Sequence, residues 1–422
     1  MRATKDSGVD WLGEIPRDWE VRKFRNVFKE SSEVNGTEPV GPMLSISSYH
    51  GVQVKEYASE NLQRDSDQLE NYRVVRPHQL AVNTMWLNYG GLGVSNTTGH
   101  MSPAYRAYWI IEGLYPRYVH HLMRSGLYVL GYTALLTGVR PNSLQMSRDS
   151  LMGFPILLPP LEEQRAIADF LDRETAKIDT LIAKQEQLIT TLGERREEVV
   201  SRLSTQGIGG QSDLVESGID WLPKIPSNWA PDKMSRIFKP KKGSNAAMLT
   251  AEYCGTVEGE YPVYSGQTSN DGVMASIESY EFESPDDGFI FTTTVGARAM
   301  SVSKIYGRFS LSQNCMILEN KAVSRICTDF ARWQLETMFS RKKSEVSSHM
   351  QPSFTMADLR EYWMAIPSLA EQLEIVRLIS SEVLGVEQLV KKSLKIVETL
   401  CERRQSLISA AVTGKIDLSE GA

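Results

Sequence analysis

"SGVDWLGEIPRDW" occupies residues 7–19 and "SGIDWLPKIPSNW" residues 217–229; eight of the thirteen positions are identical, both tryptophans included. A phrase this specific, repeated half a chain apart, marks an internal duplication, and a repeat with one end in view has another to be found. "VRPNSLQM" (139–146) is echoed by "MQPSFTM" (350–356), and "PPLEEQRAI" (159–167) by "PSLAEQLEI" (367–375). "LGERREEVVSRLST" (192–205) matches "LCERRQSLISAAVT" (400–413) at the same offset of 208 as the EQ motif. Each half therefore has like ends and an unlike middle, the pattern of a fixed frame carrying two separately diversified inserts.

The frame contains two long helices. In the first, Ile167, Leu171, Ile178, Leu181, Leu188, Leu192 and Val199 follow a three-four spacing, which marks a coiled-coil seam. In the second, Ile375, Ile379, Val386, Leu389, Ile396, Leu400 and Leu407 fall at equivalent places. Helices of roughly forty residues far exceed the dozen or so of an ordinary globular helix, and pairing with each other hides both seams. The closing "TGKIDLSEGA" followed by the opening "MRATKDSGVDWL" reads much like the internal junction "TQGIGGQSDLVESGIDWL". The chain thus reads as a two-unit ring cut once, with a pseudo-two-fold axis that makes the helices antiparallel. At about 1.5 Å per residue, each would span on the order of 60 Å and hold a globular domain at either end.

The middles are rich in β-branched and aromatic residues with Gly, Asn and Ser turns, as in "YRVVRPHQLAVNTMW" and "FIFTTTVGARAMSVSKIYGRFSLSQNCMIL", and read as short strands. A helical stretch follows each, at 115–136 and 326–346. The fold class is mixed α/β, or α+β: two globular domains separated by two long antiparallel coiled-coil helices. The expected boundaries are 1–160 and 207–367 for the globular domains, with spacer helices at 161–206 and 368–422. With 422 residues, no apolar run near the roughly 18 needed to cross a membrane and no leader-like start, the chain is expected to be cytoplasmic. Four widely spaced cysteines give neither a zinc motif nor a disulfide framework.

The formal charge is −6, yet its distribution is uneven. Residues 71–148 hold seven arginines against one acid, and residues 288–360 ten Lys or Arg against five acids. A basic segment in each domain is an electrostatic footprint for phosphate, and arginine adds bidentate contacts to guanine or phosphate.

With its ordered motifs, twice over, the chain resembles the DNA-specificity subunit of type I restriction–modification systems. The matching residues are the two openings, "SPAY" (102–105), "YPVYSGQT" (261–268), "PPLEEQRAI", "AEQLEI" and the "ERR" near each helix end. The resemblance implies a non-catalytic chain with two target-recognition domains, each reading half of a bipartite asymmetric DNA site, and with helices acting as a ruler. It implies two methyltransferase subunits carrying S-adenosylmethionine, which methylate adenine at N6, and two translocating nuclease subunits using ATP and magnesium. The chain itself is expected to bind no cofactor and no metal.

The candidate DNA contacts are polar and aromatic residues in turns of the basic segments: Asn83, Trp86, Asn88, Tyr89, Arg106, Arg140 and Asn142 in the first domain. In the second they are Gln267, Thr292, Thr293, Arg298, Gln313, Asn314, Lys342 and Lys343. Asn and Gln suit adenine, Arg guanine and Lys phosphate. Trp11, Trp19, Trp221 and Trp229 read as packing anchors that seat each domain on the helix ends. Three other readings stay open: a coiled-coil scaffold, a nuclease built on Pro285-Asp286 and Glu319 to Lys321, and the specificity component of a fused methyltransferase-nuclease system.

Overall fold

The computed structural model describes residues 3–56, 69–111, 113–137, 145–209, 213–267, 270–296, 298–346, 351–416 and 418. The chain divides into two compact units: Met1–Glu186 with Leu394–Ala422, and Gln187–Ser393.

After an antiparallel pair of Thr4–Asp6 and Glu14–Pro16, unit 1 has β1 (Glu20–Lys23) and β2 (Phe28–Glu30), then a hairpin of β3 (Leu44–Ser47) and β4 (Gly51–Val54). Five more strands follow: β5 (Leu80–Val82), β6 (Leu92–Val94) and β7 (Arg106–Ile110), with Arg73–Val75 and Gly99–Met101 pairing separately. The central sheet has the order β2-β7-β5-β6, antiparallel throughout, with Tyr108 opposite both Glu30 and Leu80. Strands β5 and β6 are buried at every position, which explains their uninterrupted Val, Leu and Ala content. The helical stretch at 115–136 is two helices, α1 (Pro116–Arg124) and α2 (Gly126–Thr133). It breaks at Ser125, whose extended backbone (φ −62°, ψ 146°) lets its hydroxyl cap α2 at the Tyr128 amide. Strand β8 (Pro155–Leu158) pairs back onto β1 and leads into α3 (Leu161–Gln206).

Unit 2 repeats the plan with β9 (Ala230–Lys233), β10 (Phe238–Lys241), β11 (Phe289–Thr293), β12 (Val302–Ile305) and β13 (Cys315–Asn320). Its central sheet runs β10-β13-β11-β12, the counterpart of β2-β7-β5-β6. A second sheet of Val273–Ile277, Tyr261–Tyr264, Arg308–Leu311 and Phe282–Glu283 has its counterpart in unit 1, where the β3–β4 hairpin, a parallel bridge from Met43 to His100 and the antiparallel pair of Gly99–Met101 with Arg73–Val75 follow the same order. Helix α4 (Thr328–Glu345) stands where α1 and α2 stand, and β14 (Trp363–Ile366) pairs with β9 before α5 (Leu369–Val412).

Both long helices contribute to both units, and in each unit they cross antiparallel. In unit 1, Ile167 and Leu171 of α3 share a core with Ile408, Ala411 and Val412 of α5, and Asp179 pairs with Arg404 at 2.9 Å. In unit 2, Val200 and Leu203 of α3 share a core with Ile375, Ile379 and Val383 of α5.

The buried seam differs in detail from the one the leucines suggest. Leu181 is 48% exposed while Ile182 is 6% exposed, and Leu188, Leu389 and Ile396 are likewise exposed. On α3 the inward positions run 171, 175, 178, 182, 185, 189, 192, 196, 199 and 203. On α5 they run 379, 383, 386, 390, 393, 397, 400, 404, 407 and 411. Both are unbroken heptads. Ile167, Leu171, Ile178, Leu192, Val199, Ile375, Ile379, Val386, Leu400 and Leu407 are buried or half-buried, whereas Leu181, Leu188, Leu389 and Ile396 lie one residue off the line. The line instead passes through polar residues, among them Thr175, Gln185, Ser393 and Arg404, where a search for leucines steps aside. Among the described residues, no helix is long and apolar enough to cross a membrane.

Candidate nucleic-acid interface

The repeated motifs lock each unit onto the helices in the same way. Trp19 of the first opening is fully buried and donates its indole N–H to Glu163 at 2.9 Å; Trp229 donates to Glu371 at 3.1 Å. The neighbouring glutamine ties loop ends together. Gln164 donates to the Pro159 and Gly113 carbonyls and accepts from the Tyr115 amide. Gln372 donates to the Pro367 and Arg325 carbonyls and accepts from the Cys327 amide. Each long helix then ends on a left-handed glycine, Gly207 (φ 67°) and Gly414 (φ 71°). A Cβ at Gly207 would sit 3.1 Å from the Trp229 ring. The glycines and the tryptophan openings therefore form one joint.

On this frame, one loop is equivalent in the two units: residues 83–91 between β5 and β6, and residues 294–301 between β11 and β12. A strut of the same kind braces each. The Met146 amide donates to the Thr84 carbonyl at 3.3 Å and the Phe354 amide to the Thr294 carbonyl at 3.1 Å, the two donors being related by the same offset of 208. The side chains on the loops differ. In unit 1, Trp86 and Tyr89 are each 54% exposed, with ring centroids 5.7 Å apart, and Met85 is exposed beside them. In unit 2, Arg298 crosses to the Gln267 carbonyl at 2.5 Å. Thr294 joins the loop to the turn bearing Gln313 and Asn314, its amide donating to the Asn314 carbonyl at 2.8 Å. Arg298 bears on two neighbours: burial first, and then its charge, lower the Lys343 pKa, while burial pushes the Cys315 thiol up to about 11 against the Ser312 hydrogen bond and the charges of Lys242 and Arg298. Gln267, Arg298, Asn314, Lys242 and Lys343 thus gather around one loop.

Other expected contacts are corrected by their surroundings. Asn83, Thr292 and Thr293 are buried. Asn83 caps its own turn by accepting from the Met85 amide at 3.2 Å, and Thr293 bonds Ser301 at 2.9 Å, so these residues shape the loops from inside. Asn88 is half-buried, and its Oδ1 has no hydrogen-bond partner among the described residues. The Gln267 amide is spent on the Val273 carbonyl, and Lys342 lies 4.6 Å from the Tyr362 ring centroid. Arg140 and Asn142 lie outside the described residues.

The basic surplus of unit 1 is largely internal. Glu30 takes both Arg106 (3.5 Å) and Arg148 (2.8 Å), Glu33 takes Arg76, and Asp169 and Asp172 take Arg117. Arg124 is turned inward onto backbone carbonyls. Counting arginines along the sequence missed this because their partners lie outside the basic segment or at its far side. The sequence-spotted nuclease pattern is similarly dispersed: Glu319 pairs with Lys241 at 3.0 Å, and Lys321 donates to the Ser235 carbonyl. His121 bonds Asp172 at 2.6 Å, while His120 accepts the Val94 amide at 3.3 Å and burial pushes its pKa down to about 3.

Residues 226–395 match the family model for the type I restriction modification DNA specificity domain. Specificity-subunit relatives include a putative type I specificity subunit of Mycoplasma pneumoniae, 32% identical over 30% of this chain and 40% of that protein. The type I restriction enzyme StySPI specificity subunit of Salmonella potsdam is 21% identical over 71% of this chain and 65% of its own. The chain thus spans less than half of the Mycoplasma relative's length. In fold, it is similar to a solved chain from work on complex assembly and conformational transition of the type I R-M system. That likeness has a TM-score of 0.67 and 14% identity, and covers 95% of this chain and 99% of the other.

Proposed function

We propose that the chain is the DNA-recognition subunit of a type I restriction–modification complex, reading a bipartite asymmetric site. Residues 1–160 and 207–367 are its two target-recognition domains, and 161–206 and 368–422 its spacer helices. The observation that carries the reading is the pair of equivalent loops, 83–91 and 294–301, fixed by the same strut and furnished with opposite chemistry. A frame that repeats while its loops diverge suits a protein that must meet two different sequences with one docking geometry. Arg298 offers guanine O6 and N7 a bidentate donor, and Lys343 and Lys242 supply phosphate contacts.

The chain does no chemistry of its own in this reading. Two methyltransferase subunits bring S-adenosylmethionine and methylate adenine at N6, a reaction that requires the base to leave the stack. Two translocating nuclease subunits bring ATP and magnesium. A system with methylation and cleavage fused in one partner is the alternative, and the neighbouring reading frames decide between them.

The test is selection of duplexes from a random library by the chain assembled with its methyltransferase partners. Two short conserved blocks separated by an unread spacer support the reading; a single contiguous block, or no preference, rejects it. Arg298→Ala should relax preference at one base pair of one block by roughly 5- to 100-fold, the worth of a bidentate contact.

A further inference from the structure

Arg124, at the end of α1, is half-buried and turned onto backbone carbonyls. One terminal nitrogen donates to the Ser47, Gly90 and Leu92 carbonyls at 3.2, 3.3 and 2.7 Å, and the other to Ser48 and Tyr49 at 2.8 and 2.6 Å. All five acceptors are neutral, and among the described residues no carboxylate pairs with it. Burial, and then the charge of Arg404, lower its pKa to about 10, so it remains charged at neutral pH. A half-buried guanidinium with no carboxylate partner among the described residues is a costly way to satisfy carbonyls that water could serve. What it does that water cannot is tie two segments together: the 47–49 turn after β3 and the 90–92 limb of the 83–91 loop.

That loop is the one bearing Met85, Trp86 and Tyr89. Gly90, in the left-handed region (φ 70°), lets the chain reverse directly beneath the two rings. Among the described arginines of residues 71–148, Arg76, Arg106, Arg117 and Arg148 are held by carboxylates. The exposed side chains of the loop are uncharged and mostly apolar in area, with the Trp86 indole N–H and the Tyr89 hydroxyl as their polar edges. Of the groups on base-pair edges in the major groove, only the thymine C5-methyl is apolar.

Resting on the recognition function proposed above, we propose that Arg124 is a positioning residue that presets the 83–91 loop, so that Met85, Trp86 and Tyr89 read thymine methyls in one half-site. Unit 2 reads its half-site through Arg298 on the equivalent loop. The two units therefore divide recognition between an apolar and a charged reader.

The experiment uses the full chain assembled with its methyltransferase subunits and duplexes carrying the selected site. Trp86→Ala and Tyr89→Ala flatten base preference in one half-site about tenfold, leave the other half-site unchanged and leave the salt dependence of binding unaltered, since no phosphate contact is lost. Replacing thymine by uracil in that half-site weakens wild-type binding roughly fourfold per methyl, and does not affect the Trp86→Ala, Tyr89→Ala double variant. Arg124→Ala gives the same half-site-specific loss although it touches no DNA. Arg124→Lys, with a point charge in place of a fork, does not restore it, whereas Trp86→Phe largely does.

Unchanged preference in the aromatic variants, or a uniform affinity loss with a shallower salt slope, overturns the proposal. Because those side chains are exposed, this outcome is readable even if Arg124→Ala fails to fold. A wild-type chain with no sequence preference defeats the recognition reading instead, so the two failures are distinct.

Discussion

Glu163 and Gln164 are neighbours with separate jobs: one takes the indole N–H of the opening tryptophan, the other closes three backbone groups at once. Gln164→Ala would orphan buried donors and acceptors, each worth about 1–3 kcal/mol. We expect faster amide exchange in unit 1, with unit 2 protected as before, and the mirror result for Gln372→Ala. His120 gives a pH signature. Its folded pKa of about 3 lies below the ordinary histidine value near 6.5, so the unfolded chain takes up the proton first. Stability is full above about pH 6.5 and falls as pH drops towards 3. His120→Gln should flatten that slope in thermal unfolding followed against pH; an identical slope would remove His120 as its source. The anchoring role of the tryptophans was legible in the sequence because the chain states it twice; the EQ motif stood out as a repeat, but its hydrogen bonds did not. The arginine roles were not, because an arginine bound to Glu30 and one facing solvent look alike in a string.

At the scale of the element, the long helices were evident from length and three-four spacing, but their inward face was misplaced by one residue along parts of the run. Leucine was followed to positions 181, 188 and 389, and isoleucine to 396, while the true line accepts Thr175, Gln185, Ser393 and Arg404. Polar residues on a seam interrupt the apolar signal although burial continues beneath them. The consequence can be measured. Ile182→Ala should destabilise unit 1 by about 2–5 kcal/mol, the usual cost of emptying a packed aliphatic site, and Leu181→Ala by well under 1 kcal/mol. Equal effects in chemical denaturation would return the seam to the leucines. The break between α1 and α2 was hidden for a related reason: Ser125 interrupts a run that stays apolar on both sides, and its capping hydrogen bond shows only in three dimensions.

For the whole molecule, duplication is the organising fact. The same sheet order, strut, tryptophan lock and glycine ending occur in both units, and α3 and α5 each serve both. Repeats made this plan readable from sequence; the loops differ between halves, so no internal comparison could say which residues face out. If the helices act as a ruler, inserting one heptad into both α3 and α5 lengthens the unread spacer and leaves both half-sites as they were. The most direct measurement is the methylated motif in DNA from cells expressing the chain with its methyltransferase partners, before and after that insertion. The account predicts two unrelated half-sites around a spacer that grows with the helices; one contiguous motif, or a spacer indifferent to helix length, would contradict it.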